Sequence, residues 1–343
     1  MNKRASERAR KRTRERIDTV QTFSQIVVII NPVAGSGMGA AILPVAQEQL
    51  PKVFPHANIR FTETQNAMHA AVLGTITEAD LIVVIGGDGT LHDVVQGVMR
   101  RPASTRPVVS LIAVGSGNDY ARTIGIPQDP HEAIAALKHG VPAAVDVGRI
   151  VETNNKEATY YLETLSFGVD AAVAIRTMEL RKTTGTKGLR LYARAAISAI
   201  LHDLKPFHVS CRIDGQPLED DLLICAVQNG PTYGSGFKVA PRARITDGHL
   251  NICLGQGMGT LRAMYCLTRI KAGTHESLKG FSTCEAACLE ITLDRQVPIQ
   301  CDGEELLGTA FYIEVVPAAL KVLVPEDSSV LKNSSELKDS RDA

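Results

Sequence analysis

The sequence predicts an α/β protein in which an N-terminal, doubly wound, mostly parallel three-layer domain is followed by a strand-rich, β-sandwich-like domain. Three observations carry this reading. Short apolar runs at residues 26–30, 81–85 and 108–114 alternate with helical stretches, the pattern of βα units whose sheet is covered on both faces. Each of these runs ends in a glycine-rich turn, at Gly35-Ser36-Gly37, Gly86-Gly87 and Gly115-Ser116-Gly117. Beyond Asp146 the texture changes to closely spaced strand-like segments.

In chain order, the run at 26–30 is a strand, and the glycine turn through Gly39 leads to a helix over 40–50. Strands follow at 57–62, 81–85 and 108–114, with helices at 67–77, 91–99 and 130–139. In the second half, strands are expected at 160–167, 208–213, 222–228, 249–254, 288–293, 297–301 and 311–316. Helices at 187–204 and 260–271 interrupt them; in the latter Leu261, Met264, Tyr265 and Thr268 share a face. The divisions are a basic tail over 1–22, a first domain over 23–148, a second over 149–317, and a polar tail over 326–343 that is expected to be disordered.

Composition narrows the function classes. With 343 residues, 44% of them hydrophobic, and a formal charge of zero, the chain can build ordinary buried cores. No apolar run approaches the roughly 20 residues needed to cross a bilayer, and the N-terminus lacks the apolar region of a secretory leader, so a cytoplasmic protein is expected. Seven cysteines with no Cys-x-x-Cys pair argue against a disulfide or zinc framework. Residues 1–18 hold eight Lys or Arg against Glu7, Glu15 and Asp18, a net of +5 (8 − 3). The plain reading of this tail is a solubilising segment; the sharper one is contact with an anionic membrane, where each basic residue is worth about 1 kcal/mol. No nucleic-acid partner is expected, because the tail lacks interleaved aromatics and the body is not basic. A homodimer is left open.

The glycine turns concentrate the chemistry. In Gly86-Gly87-Asp88-Gly89-Thr90 and Gly115-Ser116-Gly117-Asn118-Asp119, glycines allow close backbone approach to a polyanion, and a helix N-terminus after the turn adds partial positive charge. Asp88 would repel phosphate, which implies a cation or a donated hydrogen bond between them. A third turn, Asn31-Pro32-Val33-Ala34-Gly35-Ser36-Gly37, follows the first strand. None matches the Walker pattern or the dinucleotide fingerprint. The expected cradle is therefore backbone amides together with Asp88, Thr90 and Asp119. Asp214-Gly215 reads as a simple hairpin turn, and Thr64 read alone is a loop residue or helix cap.

These two motifs, the second extended through Tyr120-Ala121-Arg122, resemble the diacylglycerol kinase catalytic domain, in particular the bacterial soluble lipid kinases related to it. The likeness runs from about residue 26 to 325. The resemblance implies ATP held by Asn31, Pro32, Gly35, Thr64, Gly86, Gly87, Asp88, Gly89, Thr90, Leu91, His92, Ser116, Asn118 and Asp119, with Mg²⁺ near Asp88 and Asp119. By the same resemblance, the segment 236–249 holds a structural magnesium on Asp247 and the main-chain oxygens of Arg244 and His249. In Gln300-Cys301-Asp302-Gly303-Glu304 it implies that Asp302 and Glu304 act as base on a lipid hydroxyl, and it implies that a strand at 318–325 returns to the first domain. His92 departs from the family's usual asparagine, and Ser116 from threonine. The function implied is an ATP- and Mg²⁺-dependent kinase of diacylglycerol or a related lipid, acting at the inner face of a membrane. The rivals are an NAD kinase, which shares the first motif, and a catalytically silent lipid- or nucleotide-binding protein.

Overall fold

A computed structural model describes residues 22–184 and 189–332. The first half runs β1 (Gln25–Ile30), α1 (Ala34–Val53), β2 (Asn58–Glu63), α2 (Ala67–Ile76), β3 (Leu81–Gly86), α3 (Asp88–Met99), β4 (Val108–Ala113), α4 (Asp119–Thr123) and α5 (Pro130–Ala136). Its strands pair in parallel in the order β4-β3-β1-β2. Every residue of β3 and β4 is buried, as continuous apolar strands must be when helices cover both faces. Two helix pairs supply the cover, α1 with α5 and α2 with α3. The core gathers Ile26, Val28, Ile30, Val83, Ile85, Val94 and Ile112.

The second half contains β5 (Val141–Glu152), β6 (Ala158–Tyr161), β7 (Thr164–Gly168), α6 (Val169–Thr184), α7 (Leu189–His202), β8 (Phe207–Ile213), β9 (Gln216–Gln228) and β10 (Leu250–Gln256). It ends with α8 (Thr260–Ala272), β11 (Phe281–Ala286), β12 (Cys288–Leu293), β13 (Ile299–Cys301), β14 (Glu304–Leu306) and β15 (Ala310–Val324). Pairing among these strands is antiparallel, with a separate core of Phe167, Phe207, Ile291, Ile299, Phe311 and Ile313.

β15 joins the halves. Its first part pairs with β12 and β5, its register with β5 shifts between Val316 and Leu320, and Lys321 and Val322 then pair in parallel with Val108 and Val109 of β4. Asp146 clamps the irregularity: Oδ1 accepts from the Ala318 amide at 2.8 Å and Oδ2 from the Gly248 amide at 2.7 Å.

Several expectations change. The strand expected at 160–167 is two, β6 and β7, because the amides of Leu162, Glu163 and Thr164 donate to the Asp302 carboxylate rather than to a neighbouring strand. The helix expected to start at 91 begins at Asp88, directly after Gly87 in extended conformation. β5, α6, β11 and β14 were not anticipated. Residues 326–332, expected as disordered tail, are packed in part: Val330 and Ser328 are buried, and the Ser328 hydroxyl donates to the Ile124 carbonyl at 2.8 Å. The basic tail up to residue 21, and residues 333–343, lie outside the described residues. No described helix is long and apolar enough to cross a membrane.

Candidate active site

Three loops at the carboxyl ends of β1, β3 and β4 meet at one edge of the parallel sheet, where open α/β folds place their ligands. The second and third are in backbone contact: a Cβ on Gly115 would sit 2.6 Å from Gly87 Cα and 2.7 Å from Asn118 Oδ1, so no side chain fits between them. Gly35 has φ +60, and a Cβ there would sit 1.9 Å from the Val114 carbonyl. The Asn31 side-chain amide donates to Thr90 Oγ1 at 2.9 Å, which ties the first loop to the start of α3.

Asp88 and Asp119 stand side by side. Their Oδ2 atoms lie 2.9 and 3.3 Å from the point where a Cβ of Gly117 would be. Asp88 Oδ1 accepts from the Tyr120 amide at 3.2 Å. Asp119 reaches across the halves: Oδ1 accepts from the Gly236 amide at 2.7 Å and from Arg122 at 2.9 Å, and Oδ2 accepts from the Ser235 amide at 2.8 Å. Burial, and then the charge of Asp119, push the Asp88 carboxyl up to about 6. Burial also raises Asp119, against the donors of Ser235 and Gly236 and the charges of Arg122 and Lys271. Two crowded, desolvated carboxyls favour a bound cation.

Opposite them lies the tight turn between β13 and β14, with positive φ at both Asp302 (48°) and Gly303 (97°). Asp302 Oδ1 accepts from the amides of Glu163 and Thr164 at 3.0 and 2.9 Å, and Oδ2 from Leu162 at 2.7 Å. His92 Nδ1 stands 3.4 Å from Oδ2, a long contact that leaves this oxygen room for one stronger donor. Burial opposes charge on His92, yet hydrogen bonding to Asp302 and the charges of Asp302, Asp93 and Glu304 outweigh it, and the net shift is upward. Gln300 holds the turn from beneath, its Oε1 accepting from the Gly303 amide at 2.8 Å and its Nε2 donating to Ser166 Oγ at 2.9 Å.

A cavity of about 670 Å³ connects these groups. Its polar end is walled by Asn31, Gly35, Gly87, Asp88, Gly89, Thr90, Leu91, Ser116, Asp119, Asp302 and Glu304, all singled out in the sequence. Pro32, Thr64, Gly86, His92 and Asn118 are set back from the wall; the Thr64 hydroxyl donates to the Asn66 carbonyl at 2.8 Å, and Asn118 takes the left-handed φ of 54° that caps α4. The other end is apolar, lined by Val169, Val173, Ile200, Leu204, Leu223 and Leu267 among others. Arg244, Asp247 and His249 are away from this cavity, in a turn where Asp247 Oδ1 accepts from the His249 amide at 3.0 Å. Among the described residues no group of three or more His, Cys, Asp or Glu side chains is placed to hold a metal.

Four charged residues of the site were missed in the sequence. Asp93, beside Glu304 on the cavity wall, is pushed up to about 6 by burial and the charge of Glu304, against the opposing pull of His92. Glu163 also lines the cavity; neither of its oxygens has a hydrogen-bond partner, and burial drives it well above the usual carboxylate range. Asp170 is buried in the first turn of α6. Lys271 of α8 donates to the Ser235 carbonyl at 2.7 Å and lies 4.7 Å over the Phe237 ring. A signal existed for one of them. Asp88, Asp119 and Asp170 each stand in the first turn of a helix that follows a strand or glycine turn.

A parallel-sheet half bearing three glycine loops, joined to an antiparallel half with an apolar cavity, defines a two-part α/β protein that brings a polar, glycine-lined cleft against an apolar one. Residues 25–150 match the family described as diacylglycerol kinase catalytic domain, and residues 163–324 match the YegS C-terminal NAD kinase beta sandwich-like domain. The chain is 31% identical over 262 residues to a Stenotrophomonas maltophilia protein named "Probable lipid kinase YegS-like", spanning 74% of this chain and 81% of that one. It is 27% identical over 310 residues to the diacylglycerol kinase of Mycobacterium tuberculosis, spanning 88% and 96%. A crystal structure of a diacylglycerol kinase from Bacillus anthracis superposes with a TM-score of 0.67 at 22% identity, covering 89% of this chain and 98% of that one, a likeness of fold. The chain belongs to the diacylglycerol kinase catalytic-domain family of lipid kinases.

Proposed function

We propose that the protein transfers the γ-phosphate of ATP to a hydroxyl of diacylglycerol or a related lipid. The observation that carries this reading is the continuity of the cavity, from the glycine loops past Asp302 and Glu304 into a channel walled by aliphatic side chains. A soluble acceptor such as NAD has no use for that apolar end.

The loop amides and the N-terminus of α3 hold the nucleotide phosphates. Mg²⁺, when bound, supplies charge neutralisation at the phosphates; Asp88 and Asp119 would hold it, and their crowding fits a divalent cation. Asp302 is fixed by three amides and orients the lipid hydroxyl through Oδ2. Glu304 and Asp93 line the same space, and the Asp93 carboxyl, pushed up to about 6, is well matched to accept a proton at neutral pH. The basic tail holds the enzyme at the anionic inner face of the membrane that supplies the acceptor.

The test is transfer of labelled γ-phosphate to a panel of dispersed lipids and NAD, with and without Mg²⁺, with Asp302→Asn as control. A labelled lipid that disappears in the control supports the reading. Labelled NAD with no labelled lipid overturns it in favour of an NAD kinase, and ATP binding with no product overturns it in favour of a silent binding protein.

A further inference from the structure

Among the described residues of the apolar end of the cavity, Asp170 carries a polar atom that the protein does not use. Asp170 sits in the first turn of α6, directly after Gly168, whose φ of +92 turns the chain out of β7. The residue is 8% exposed, lines the cavity, and its Oδ2 has no hydrogen-bond partner. Val169, Val173, Ile200 and Leu223 line the same cavity.

The neighbouring polar groups are already engaged, the Ser166 hydroxyl with the Asp170 carboxyl itself. Thr177 donates its hydroxyl to the Val173 carbonyl at 2.7 Å. Gln300 gives its amide to Ser166 and receives the Gly303 amide, and Thr164 Oγ1 accepts from Gln228 at 2.7 Å. A buried, unpartnered carboxyl oxygen is costly, and native proteins keep such groups where a ligand completes them. An ionised carboxylate accepts hydrogen bonds and donates none.

We propose that Asp170 recognises a second hydrogen-bond donor on the lipid acceptor, a hydroxyl or an amine near the start of its hydrocarbon chain, in addition to the hydroxyl that is phosphorylated. This rests on the lipid-kinase reading and narrows its substrate class. Diacylglycerol offers ester oxygens at that position, which are acceptors and so can pair only with the protonated carboxyl, whereas a donor also completes the ionised form. A monoacylglycerol offers a second hydroxyl and a sphingoid base an amine, and either completes the site. Burial holds the Asp170 carboxyl at about 7, with the Ser166 hydroxyl opposing the shift, so a partner that favours the anion is the one it lacks.

The experiment compares three acceptors of matched chain length, a monoacylglycerol, a sphingoid base and a diacylglycerol, with wild type, Asp170→Asn and Asp170→Leu. Two readouts are taken: kcat/KM for phosphate transfer, and binding of each lipid without nucleotide. A site built on a buried polar group discriminates strongly against a ligand lacking the partner. Wild type is therefore expected to favour one of the two-donor lipids by at least roughly 10-fold. Both variants lose most of that preference, mainly through KM, while ATP binding stays within about 3-fold of wild type. The arm that carries the preference tells a hydroxyl from an amine.

Phosphorylation with selectivity unchanged in both variants overturns the role of Asp170 and leaves the kinase reading intact. Selective, Asp170-dependent binding without phosphate transfer to any lipid supports the recognition role while overturning the kinase reading. A wild type that binds and phosphorylates diacylglycerol best overturns the inference outright.

Discussion

Replacing Asp170 by asparagine tests the burial of this carboxyl independently of any lipid. Burial lifts its carboxyl from the usual 3.8 to about 7, so between these values the native state holds a proton that the unfolded state has released. Stability therefore falls as pH rises from about 4 to about 7 and levels off above, at about 1.4 kcal/mol per unit for this single group. Between pH 5 and pH 8 the loss amounts to about 2 to 3 kcal/mol. Asp88 and Asp93, each raised to about 6, add losses of the same sign that are mostly complete by pH 7 and are common to both proteins. The stability of Asp170→Asn minus that of wild type should consequently increase by about 2 to 3 kcal/mol from pH 5 to pH 8. Any cost of burying the amide is shared by both pH values and cancels. Urea denaturation at a series of pH values measures this difference. A difference that is flat within about 0.5 kcal/mol would mean that the carboxyl is hydrated or already paired, and would refute the reasoning.

The remaining predictions concern the polar end and the tail. Asp302→Asn should lower kcat by about 10²-fold or more while ATP affinity changes little, because transfer loses the fixed acceptor for the hydroxyl; Asp88→Ala should instead weaken nucleotide and metal binding, and equal loss of nucleotide affinity in both would contradict this division. In Gly115→Ala the new methyl meets Gly87 Cα at 2.6 Å, so nucleotide affinity should drop by more than about 10-fold with a stability cost of about 1 to 3 kcal/mol, both readable by nucleotide titration and thermal melting. His92 gains stability from Asp302 below its ordinary value near 6.5 and loses it as pH rises through the higher native value; the deficit of His92→Asn in denaturant melts should therefore be larger at pH 6 than at pH 9. Deleting residues 1–18 should weaken binding to anionic vesicles in a salt-dependent way, with activity on detergent-dispersed lipid unchanged; vesicle binding that survives the deletion would dismiss the tail's role.

What could be read from the sequence was local. The three glycine turns are each encoded within a few residues, by glycines that permit close backbone approach and by an apolar run that places them at a strand end. The structure brings all three to one sheet edge, with Gly87 and Gly115 in contact. Asp302 was legible as an Asp-Gly hairpin turn after a strand, and Asp214-Gly215, with φ of 46° and 81°, is an ordinary hairpin turn. What the sequence hid was what depends on pairing across distance. The break between β6 and β7 exists because a carboxylate about 140 positions later takes the amides of Leu162, Glu163 and Thr164, and no periodicity in 158–168 records that.

Apart from the helix at 187–204, the residues that wall the apolar end of the cavity were hidden for the same reason. Its wall is assembled from α6, α7, α8 and β9, and each contributes ordinary aliphatic residues that a one-dimensional reading assigns to a core. A core would exclude Asp170. Its presence among these side chains, buried and without a partner for Oδ2, distinguishes a cavity wall from packing, because an interior built for stability alone gains from an alanine or valine at that position. The carboxyl that makes the empty protein less stable above neutral pH is thus the same feature that would give the lipid its orientation. The two experiments on Asp170 must agree: a variant stabilised at pH 8 yet unchanged in lipid selectivity would show a desolvated group with no ligand, and selectivity lost without that stabilisation would show a carboxylate that water reaches.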